Sequence, residues 1–249
     1  MASPTSRLMA HVDDPRLDQP GTDADALSEA AEESVWQDER LIRALNVTAA
    51  TIGLIVTLPL WLLIGLAIRL TSRGPVFYSQ TRVGLDARAL RPHRHDSRRR
   101  EDIGGRPFTI WKFRTMTVDA ERHGQAVWAK ANDQRVTAIG GFLRSCRLDE
   151  LPQLLNVIKG DMNLVGPRPE RPQLFSELRE QIPNYHHRQR VRPGITGHAQ
   201  VHLQYDTSVE DVKRKVEHDL EYIATRSVWQ DLTIMLKTIP VMLFRKGGW

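Results

Sequence analysis

The most prominent pattern in the chain is an uncharged, mainly apolar run over residues 44–68. As an α-helix this run would measure about 37 Å, against a membrane hydrocarbon core of about 30 Å. Pro59 divides it into two parts, neither long enough to cross alone, and basic residues flank both ends (Arg40, Arg43, Arg69 and Arg73). The pattern favours a re-entrant helix–break–helix that returns to the cytoplasmic face. A kinked single span is the alternative.

The segments around this run differ sharply in charge. Residues 1–34 carry eight acids against two arginines and almost no large apolar side chain, which predicts a disordered acidic tail. Residues 35–73 are predicted as an interfacial lead-in followed by the membrane-inserted segment, and residues 74–245 as a domain on the cytoplasmic side. The net charge is +5, so a tail of −6 leaves +11 on the remainder. That excess favours anionic partners.

Two stretches after the apolar run have strand patterns. Residues 76–78 follow a Gly-Pro turn, and residues 108–116 alternate apolar with polar positions. The alternation places Lys112 and Arg114 on one face, where they could bind a diphosphate or simply belong to a basic edge strand. Between the two stretches, the Arg/His-rich residues 86–106 lack interleaved aromatic side chains. They resemble a solvated loop near anionic lipid more than a nucleic-acid surface.

Helical spacing dominates the second half of the chain. A turn at residues 140–141 is predicted to lead into a helix, and residues 151–158 repeat apolar positions at helical spacing up to a stop at Gly160. Residues 209–222 are amphipathic, whereas residues 228–244 are too short and too charged to span and are predicted to be interfacial. These elements predict an α+β fold, mainly helical, with short strands and interfacial amphipathic helices.

Asp149 and Glu150 are the leading candidates for chemistry. They come just before Pro152, which fits the first turn of a helix, where unpaired N–H groups and the helix dipole keep acids ionised. One carboxylate could act as a nucleophile while its neighbour holds a hard divalent cation. The simpler alternative is a pair of solvated acids that compensate the helix dipole.

Other features add to this picture. Residues 163–172 contain three prolines and a glycine, and their rigidity would hold Arg168 for phosphate recognition unless they are only a connector. A second rigid turn, residues 192–200, ends at Gln200. Cys146 is the only cysteine, which excludes an internal disulfide and favours a reducing, cytosolic compartment.

Five of these stretches occur in the order and spacing of a known family: residues 72–80, 112–116, 143–153, 160–169 and 192–197. The sequence resembles the bacterial sugar transferases, the monotopic polyprenyl-phosphate phosphoglycosyltransferases. The resemblance implies transfer of sugar 1-phosphate from a nucleotide diphosphate sugar, usually a UDP-sugar, to a polyprenyl phosphate such as undecaprenyl phosphate. This reaction would initiate exopolysaccharide, O-antigen or related glycan synthesis at the cytoplasmic face of the bacterial inner membrane.

The resemblance also implies roles for individual residues. Asp149 would attack the sugar-bearing phosphorus to form an acyl phosphate, and Glu150, together with Asp149, would hold Mg²⁺. The expected substrate-binding residues are Lys112, Arg114, Arg144, Arg168 and Gln200. Membrane lipid is an expected partner and nucleic acid is not. The alternative is a non-enzymatic, basic membrane-surface scaffold that binds anionic lipid or nucleic acid.

Overall fold

A computed structural model describes residues 23–86, 104–118, 120, 133–203 and 208–244, and within these ranges the side chains from Glu39 to Val241. Most of the described chain is helical, and its strands form two small sheets. The elements in order are helix α1 (Asp23–Thr71), strands β1 (Phe77–Val83) and β2 (Pro107–Phe113), helix α2 (Ala138–Ser145), a 3-10 turn (Leu148–Glu150), helix α3 (Gln153–Lys159), strand β3 (Asn163–Val165), helix α4 (Pro172–Gln181), a second 3-10 turn (Tyr185–Arg190), strand β4 (Gly194–Thr196), and helices α5 (His198–His202), α6 (Val209–Thr225) and α7 (Val228–Phe244).

Helix α1 is continuous through Pro59, so the predicted helix break is not observed. Pro59 has no N–H to donate to the carbonyl of Ile55, but the turns on both sides are held by packing on the same domain. The hydroxyl of Thr57 bonds to the carbonyl of Gly53 at 2.7 Å rather than to the freed carbonyl of Ile55. Residues 23–35, which precede Trp36, are part of the same helix, because the alanine, leucine and glutamate residues in this segment are strong helix formers. Residues 1–22 of the predicted disordered tail lie outside the described residues.

Helix α1 packs along the rest of the protein on both sides of Pro59. Ala50 joins an apolar cluster with Leu154 and Val157 of α3, and Ile64 and Ile68 join another that contains Phe113 and Leu143. Polar contacts reinforce the first half. The guanidinium of Arg43 donates to the carbonyls of Val157 and Ile158 at 2.7 and 2.9 Å, at the C-terminal end of α3. The helix therefore belongs to the core of the fold.

Strands β1 and β2 pair antiparallel, with Phe77 opposite Phe113 and Val83 opposite Pro107. The rings of Phe77 and Phe113 stack with centroids 5.3 Å apart, and Trp61 of α1 lies edge-on to Phe113 at 5.5 Å. This aromatic contact attaches the hairpin to α1. Both strands occur close to the predicted places. Residues 87–103, most of the Arg/His-rich loop between them, lie outside the described residues.

Strands β3 and β4 pair in parallel and bring the two proline-rich turns side by side. A side chain at Gly166 or Gly194 would collide with the backbone of the other turn, so the close approach requires glycine at both positions. In α2, the structure corrects the predicted turn at residues 140–141. Thr137 caps a helix that includes both glycines, and a Cβ at Gly140 would meet the carbonyl of Thr115.

Candidate active site

The two carboxylates of the acidic pair lie in the 3-10 turn between α2 and α3, just before α3 begins at Gln153 rather than in its first turn. Arg147 precedes them in the left-handed conformation with φ of 57°, which turns the chain between the two helices. Pro152 directly precedes α3, and Gly160 ends α3 with φ of 98°, as predicted. Asp149 is 7% exposed and Glu150 5%, so the alternative of a solvated pair does not hold.

Glu150 is held by two cations from distant parts of the chain. Its Oε1 accepts hydrogen bonds from Lys112 Nζ and from an Arg168 terminal nitrogen, both at 2.7 Å. Burial alone would raise the pKa of Glu150, but the charges of Arg168, Lys112 and Arg147 outweigh it and hold that pKa well below its ordinary value. Glu150 is therefore ionised at neutral pH.

Asp149 has a different environment. Burial raises the pKa of its carboxyl, and the negative charge of Glu150 adds to the rise, while Lys112, Arg168 and Arg144 oppose it. No residue in the described ranges donates a hydrogen bond to this carboxylate. The two neighbouring acids thus differ in environment: Glu150 is held by its cations, whereas no described residue donates a hydrogen bond to the carboxylate of Asp149.

The elements explain how the two cations reach Glu150. Along β2, Phe108 and Ile110 face α3, and Lys112 follows on the same face, which brings its amine to the 3-10 turn. Burial lowers the pKa of Lys112, and the charge of Glu150 opposes this shift. Arg168 lies between Pro167 and Pro169 just after β3, where the prolines and the adjoining β4 turn fix its backbone.

Arg188 stabilises the backbone of Arg168, and nothing in the sequence indicated this role for Arg188. Its guanidinium donates to the Arg168 carbonyl at 3.2 Å, to the Tyr185 hydroxyl at 2.8 Å and, through Nε, to Asp219 at 2.8 Å. Arg188 is 1% exposed. No local pattern could have identified it, because Asp219 is 31 residues further along the chain.

Of the other predicted site residues, the structure brings some close to the acidic pair and not others. The charge of Arg144 acts on Asp149, which puts it near the pair. Arg114 does not reach the pair: β2 ends at Phe113, and the Arg114 guanidinium donates instead to the carbonyls of Arg73 and Ser72 at 2.7 and 3.0 Å. Lys112 thus bonds to the acidic pair and Arg114 does not, although the backbone N–H of Arg114 still donates to the carbonyl of Val76 beside β1.

Gln200 lies in a mostly apolar cleft that opens beside Glu150. The cleft has a volume of about 130 Å³. Its other lining residues come from the 3-10 turn, α3, β4, α5 and α7: Arg147, Leu151, Leu154, Ile195, Thr196, Val201, Thr238 and Val241. A charged end and apolar walls suit an amphiphilic ligand with an anionic head.

The acidic pair also meets the ligand preference of Mg²⁺. Oε1 of Glu150 is engaged by the two cations, but among the described residues nothing bonds to its Oε2 or to the Asp149 carboxylate. Mg²⁺ prefers oxygen ligands, retains several waters, and in phosphoryl-transfer sites needs only one or two carboxylates. Asp149 and Glu150 therefore fit this ion.

Among the described residues, one helix is long and apolar enough to cross a membrane, and it packs on a small domain that holds a buried acidic pair, a combination that indicates a membrane-associated class of protein. The family description "bacterial sugar transferase" matches residues 37–245. The chain belongs to the bacterial sugar transferase family. Membership confirms the resemblance noted in the sequence and favours an enzyme over a non-enzymatic scaffold.

Several relatives carry functional names. The chain is 41% identical over 206 residues to the UDP-N-acetylgalactosamine-undecaprenyl-phosphate N-acetylgalactosaminephosphotransferase of Aeromonas hydrophila, an alignment that covers 83% of this chain and 44% of that protein. It is 42% identical over 203 residues to the UDP-glucose:undecaprenyl-phosphate glucose-1-phosphate transferase of Caulobacter vibrioides, with 81% and 69% covered. It is 35% identical over 217 residues to the exopolysaccharide production protein PSS of Rhizobium leguminosarum, with 84% and 98% covered. The chain thus spans less than half of the Aeromonas protein.

Proposed function

We propose that the protein transfers sugar 1-phosphate from a UDP-sugar to undecaprenyl phosphate or a similar polyprenyl phosphate, through a covalent intermediate on Asp149. The names of the Aeromonas and Caulobacter relatives support the donor and acceptor classes. The observation that supports this mechanism most directly is the different environment of the two carboxylates in the acidic pair. Glu150 is neutralised by Lys112 and Arg168, whereas Asp149 is buried beside the same cations without a hydrogen-bond donor among the described residues.

The reaction has two displacements at one phosphorus atom. A carboxylate oxygen of Asp149 attacks the sugar-bearing phosphorus of the donor, the bond from that phosphorus to the bridging oxygen breaks, and UMP leaves with the electron pair. The product is an acyl phosphate that carries the sugar. An oxygen of the polyprenyl phosphate then attacks the same phosphorus, and the bond to Asp149 breaks, which restores the carboxylate and yields the lipid diphosphate sugar.

The cations around the acidic pair lower the electrostatic free-energy cost of bringing the donor diphosphate next to the carboxylate of Asp149. Lys112 and Arg168 are fixed by their elements before substrate arrives, so the negative charge that develops on the phosphoryl oxygens meets an arranged field. The raised pKa of Asp149 accompanies a more basic carboxylate, and a more basic oxygen is a better nucleophile once ionised. Arg144 and Arg147 add positive charge on the side of α2.

Asp149 and Glu150 would also hold Mg²⁺. Bound there, the ion would supply Lewis-acid neutralisation of the donor diphosphate. Removing divalent cations with EDTA is expected to stop UMP release, and adding Mg²⁺ is expected to restore it. Full activity in EDTA-treated protein would contradict a role for the ion.

The cleft beside Glu150 suits the acceptor. Its apolar walls would receive the first isoprene units of the acceptor, while the acceptor phosphate faces Lys112 and Arg168 beside the acidic pair. Helix α7 forms one wall through Thr238 and Val241, and on its outer side Trp229, Leu236 and Ile239 are exposed, as on an interfacial helix. A lipid phosphate at the headgroup level could thus enter the site while its tail stays in apolar surroundings.

Helix α1 would lie in the cytoplasmic leaflet without crossing the bilayer. Glu39, just before the apolar segment of α1, pairs with Arg192 and Arg226, and Ile68 at the end of that segment packs on β2, so one domain contacts α1 over about 44 Å. A crossing helix would have a hydrocarbon core of about 30 Å between its ends, and the domain would then lie inside the lipid. Large apolar side chains cover the opposite face: Ile52, Ile55, Val56, Leu58, Leu62, Leu63 and Leu66. Both ends of α1 and the active site would share the cytoplasmic side.

Cysteine labelling tests this topology. In a Cys146→Ser background, Arg40→Cys and Arg73→Cys lie at exposed positions at the two ends of the apolar segment. Both are expected to react with a membrane-impermeant maleimide only in inside-out vesicles. Reaction of the two positions from opposite sides would show a true span.

The covalent step is tested by separating its two half-reactions. The Asp149→Asn variant is expected to lose at least about a thousandfold in UMP release while it remains folded and membrane-bound. Wild-type protein incubated with a UDP-sugar and no acceptor is expected to gain the mass of the phosphosugar on the peptide that contains Asp149. Absence of this adduct, together with normal turnover when acceptor is added, would refute the intermediate.

A further inference from the structure

Three histidines converge away from the acidic pair, on the side of the domain formed by α5 and α6. His198 and His202 lie one turn apart on α5, and His218 comes from the middle of α6. One potential ligand atom from each of the three lies within 4.8 Å of the others. The rings of His198 and His202 are 4.4 Å apart between centroids, and those of His198 and His218 5.2 Å. Nothing in the proposed transfer reaction uses this cluster.

Backbone contacts orient two of the rings. Nδ1 of His202 lies 2.8 Å from the carbonyl of His198, and Nδ1 of His198 lies 3.3 Å from the carbonyl of His218. Both contacts require the proton on Nδ1, so each Nε2 keeps a lone pair. An Nδ1–H donated to a backbone carbonyl is the arrangement that typically orients histidine ligands around a metal. Nδ1 of His218 is buried and has no hydrogen-bond partner in the described part of the chain.

Two charged side chains also face the cluster. A carboxylate oxygen of Glu221 lies 3.8 Å from Nδ1 of His218 and 4.0 Å from Nδ1 of His198, where it would favour a bound cation. Lys237 of α7 opposes one, because its Nζ lies 3.3 Å from Nε2 of His202. Lys237 is exposed and its long side chain can turn into solvent.

We propose that His198, His202 and His218 bind one transition-metal ion of the zinc class. Three imidazoles suit Zn²⁺, Ni²⁺, Cu²⁺ or Co²⁺, whereas Mg²⁺ prefers oxygen, so this site is chemically distinct from the acidic pair. Zinc–nitrogen bonds of about 2.0–2.1 Å place tetrahedral ligand atoms about 3.3 Å apart, so the rings need to close by only about 1.5 Å. The ion would join α5 to α6, and α5 also carries Gln200 and Val201 of the cleft wall.

Metal titration of the full chain tests the site. Untagged, detergent-solubilised protein, freed of metal by a chelator, is titrated with Zn²⁺ in competition with a chromophoric chelator. Binding of one Zn²⁺ per chain is expected, with no displacement by millimolar Mg²⁺. The double variant His198→Ala/His218→Ala is expected to bind at least about tenfold more weakly. With Co²⁺ in place of Zn²⁺, the wild type is expected to develop the visible absorption bands of nitrogen coordination, and the double variant is not.

Control variants distinguish loss of zinc binding at this site from effects of other histidines and from misfolding. The His93→Ala/His95→Ala variant removes two histidines that are close to each other in sequence and is expected to bind Zn²⁺ as the wild type does. Lys237→Met leaves all three histidines in place and is expected to tighten binding several-fold, because it removes the opposing cation. Wild-type affinity in the His198→Ala/His218→Ala variant, loss of binding in the His93→Ala/His95→Ala variant, or no tightening in Lys237→Met would each overturn the proposal.

Discussion

At the scale of single residues, the buried ion pair between Arg188 and Asp219 has a large energetic consequence. Arg188 is the link between α6 and the Arg168 turn, and both partners of the pair are almost fully buried. Burial raises the pKa of Asp219, whereas the Tyr185 hydroxyl and Asp219 keep the pKa of Arg188 above its ordinary value despite burial. Removing one partner leaves an uncompensated charge in the interior.

Arg188→Met is therefore expected to lower the free energy of unfolding by about 3–5 kcal/mol. It should also lower UMP release at saturating donor, because the backbone of Arg168 loses its support. Thermal unfolding in detergent checks the first effect. The double variant Arg188→Met/Asp219→Leu should regain part of the lost stability, since it buries no lone charge. Equal instability of the single and double variants would argue against this account.

Asp231 gives the protein a pH-dependent stability. It is 5% exposed, and its Oδ1 accepts a 2.6 Å hydrogen bond from the Tyr222 hydroxyl. Burial raises the pKa of Asp231 to about 6, above the value of about 3.9 for an unfolded chain. The folded state thus binds this proton more tightly, and its contribution to stability is present below pH 4 and is lost as the pH rises to about 6.

Asp231→Asn should remove this dependence, because the amide keeps an acceptor for Tyr222 and does not titrate. The wild type is expected to lose stability relative to the variant between about pH 4 and pH 6, by about 1.4 kcal/mol for each pH unit that separates the folded and unfolded pKa values of Asp231. Denaturant unfolding at both ends of this window measures the difference. Parallel pH curves for the two proteins would show that Asp231 does not carry the effect.

At the scale of elements, the two neighbouring glycines of α2 have opposite roles. A Cβ at Gly140 would collide with the carbonyl of Thr115, whereas among the described residues a Cβ at Gly141 would have only the Val136 side chain, at 4.0 Å, as a neighbour. Gly140 is buried and Gly141 is exposed. Helix α2 thus needs glycine at one position for close packing and only tolerates it at the next.

Gly140→Ala is expected to destabilise the protein and, because α2 leads directly to the acidic pair, to reduce activity. Gly141→Ala is expected to stabilise it by about 0.5–1 kcal/mol, since alanine is the better helix former. Melting temperatures of the two variants, measured side by side, should fall on opposite sides of the wild type. A shift in the same direction for both would contradict the packing argument.

The elements also show what a sequence can and cannot predict. The stop at Gly160, the two strands of the hairpin and the amphipathic helix α6 were predictable, because each depends on neighbouring residues. The helix through Gly140 and Gly141 was not, because the reason for glycine at position 140 is the backbone of Thr115. Likewise, strand alternation correctly grouped Lys112 with the acidic pair, but it could not show that the Arg114 guanidinium bonds to the carbonyls of Arg73 and Ser72, about 40 residues earlier in the chain.

At the scale of the whole molecule, α1 has two apolar faces with different partners. Ile64 and Ile68 are buried against the domain, whereas Leu63 and Leu66 on the other face are exposed. The same helix is therefore at once part of the core and the proposed contact with lipid. Substitutions on its two faces should separate folding from membrane binding.

Ile64→Gln/Ile68→Gln is expected to abolish folding, because it removes two buried side chains and buries two amides without partners, at about 1–3 kcal/mol for each unpaired group. Leu63→Gln/Leu66→Gln should keep the wild-type melting transition in detergent but weaken partition into liposomes. Circular dichroism and liposome flotation measure the two properties. Loss of folding in both variants would mean that the two faces are not independent.

The dual use of α1 has a consequence for biosynthesis. This helix precedes the domain in the chain, so the ribosome releases it while its partners in α3, β2 and the Arg192 turn are still unmade. Its apolar face can enter lipid at once, but the domain has no complete interior until it closes onto the opposite face. We therefore expect delivery to the bilayer and closure of the domain to be one ordered event, so that the enzyme is not completed without its membrane helix.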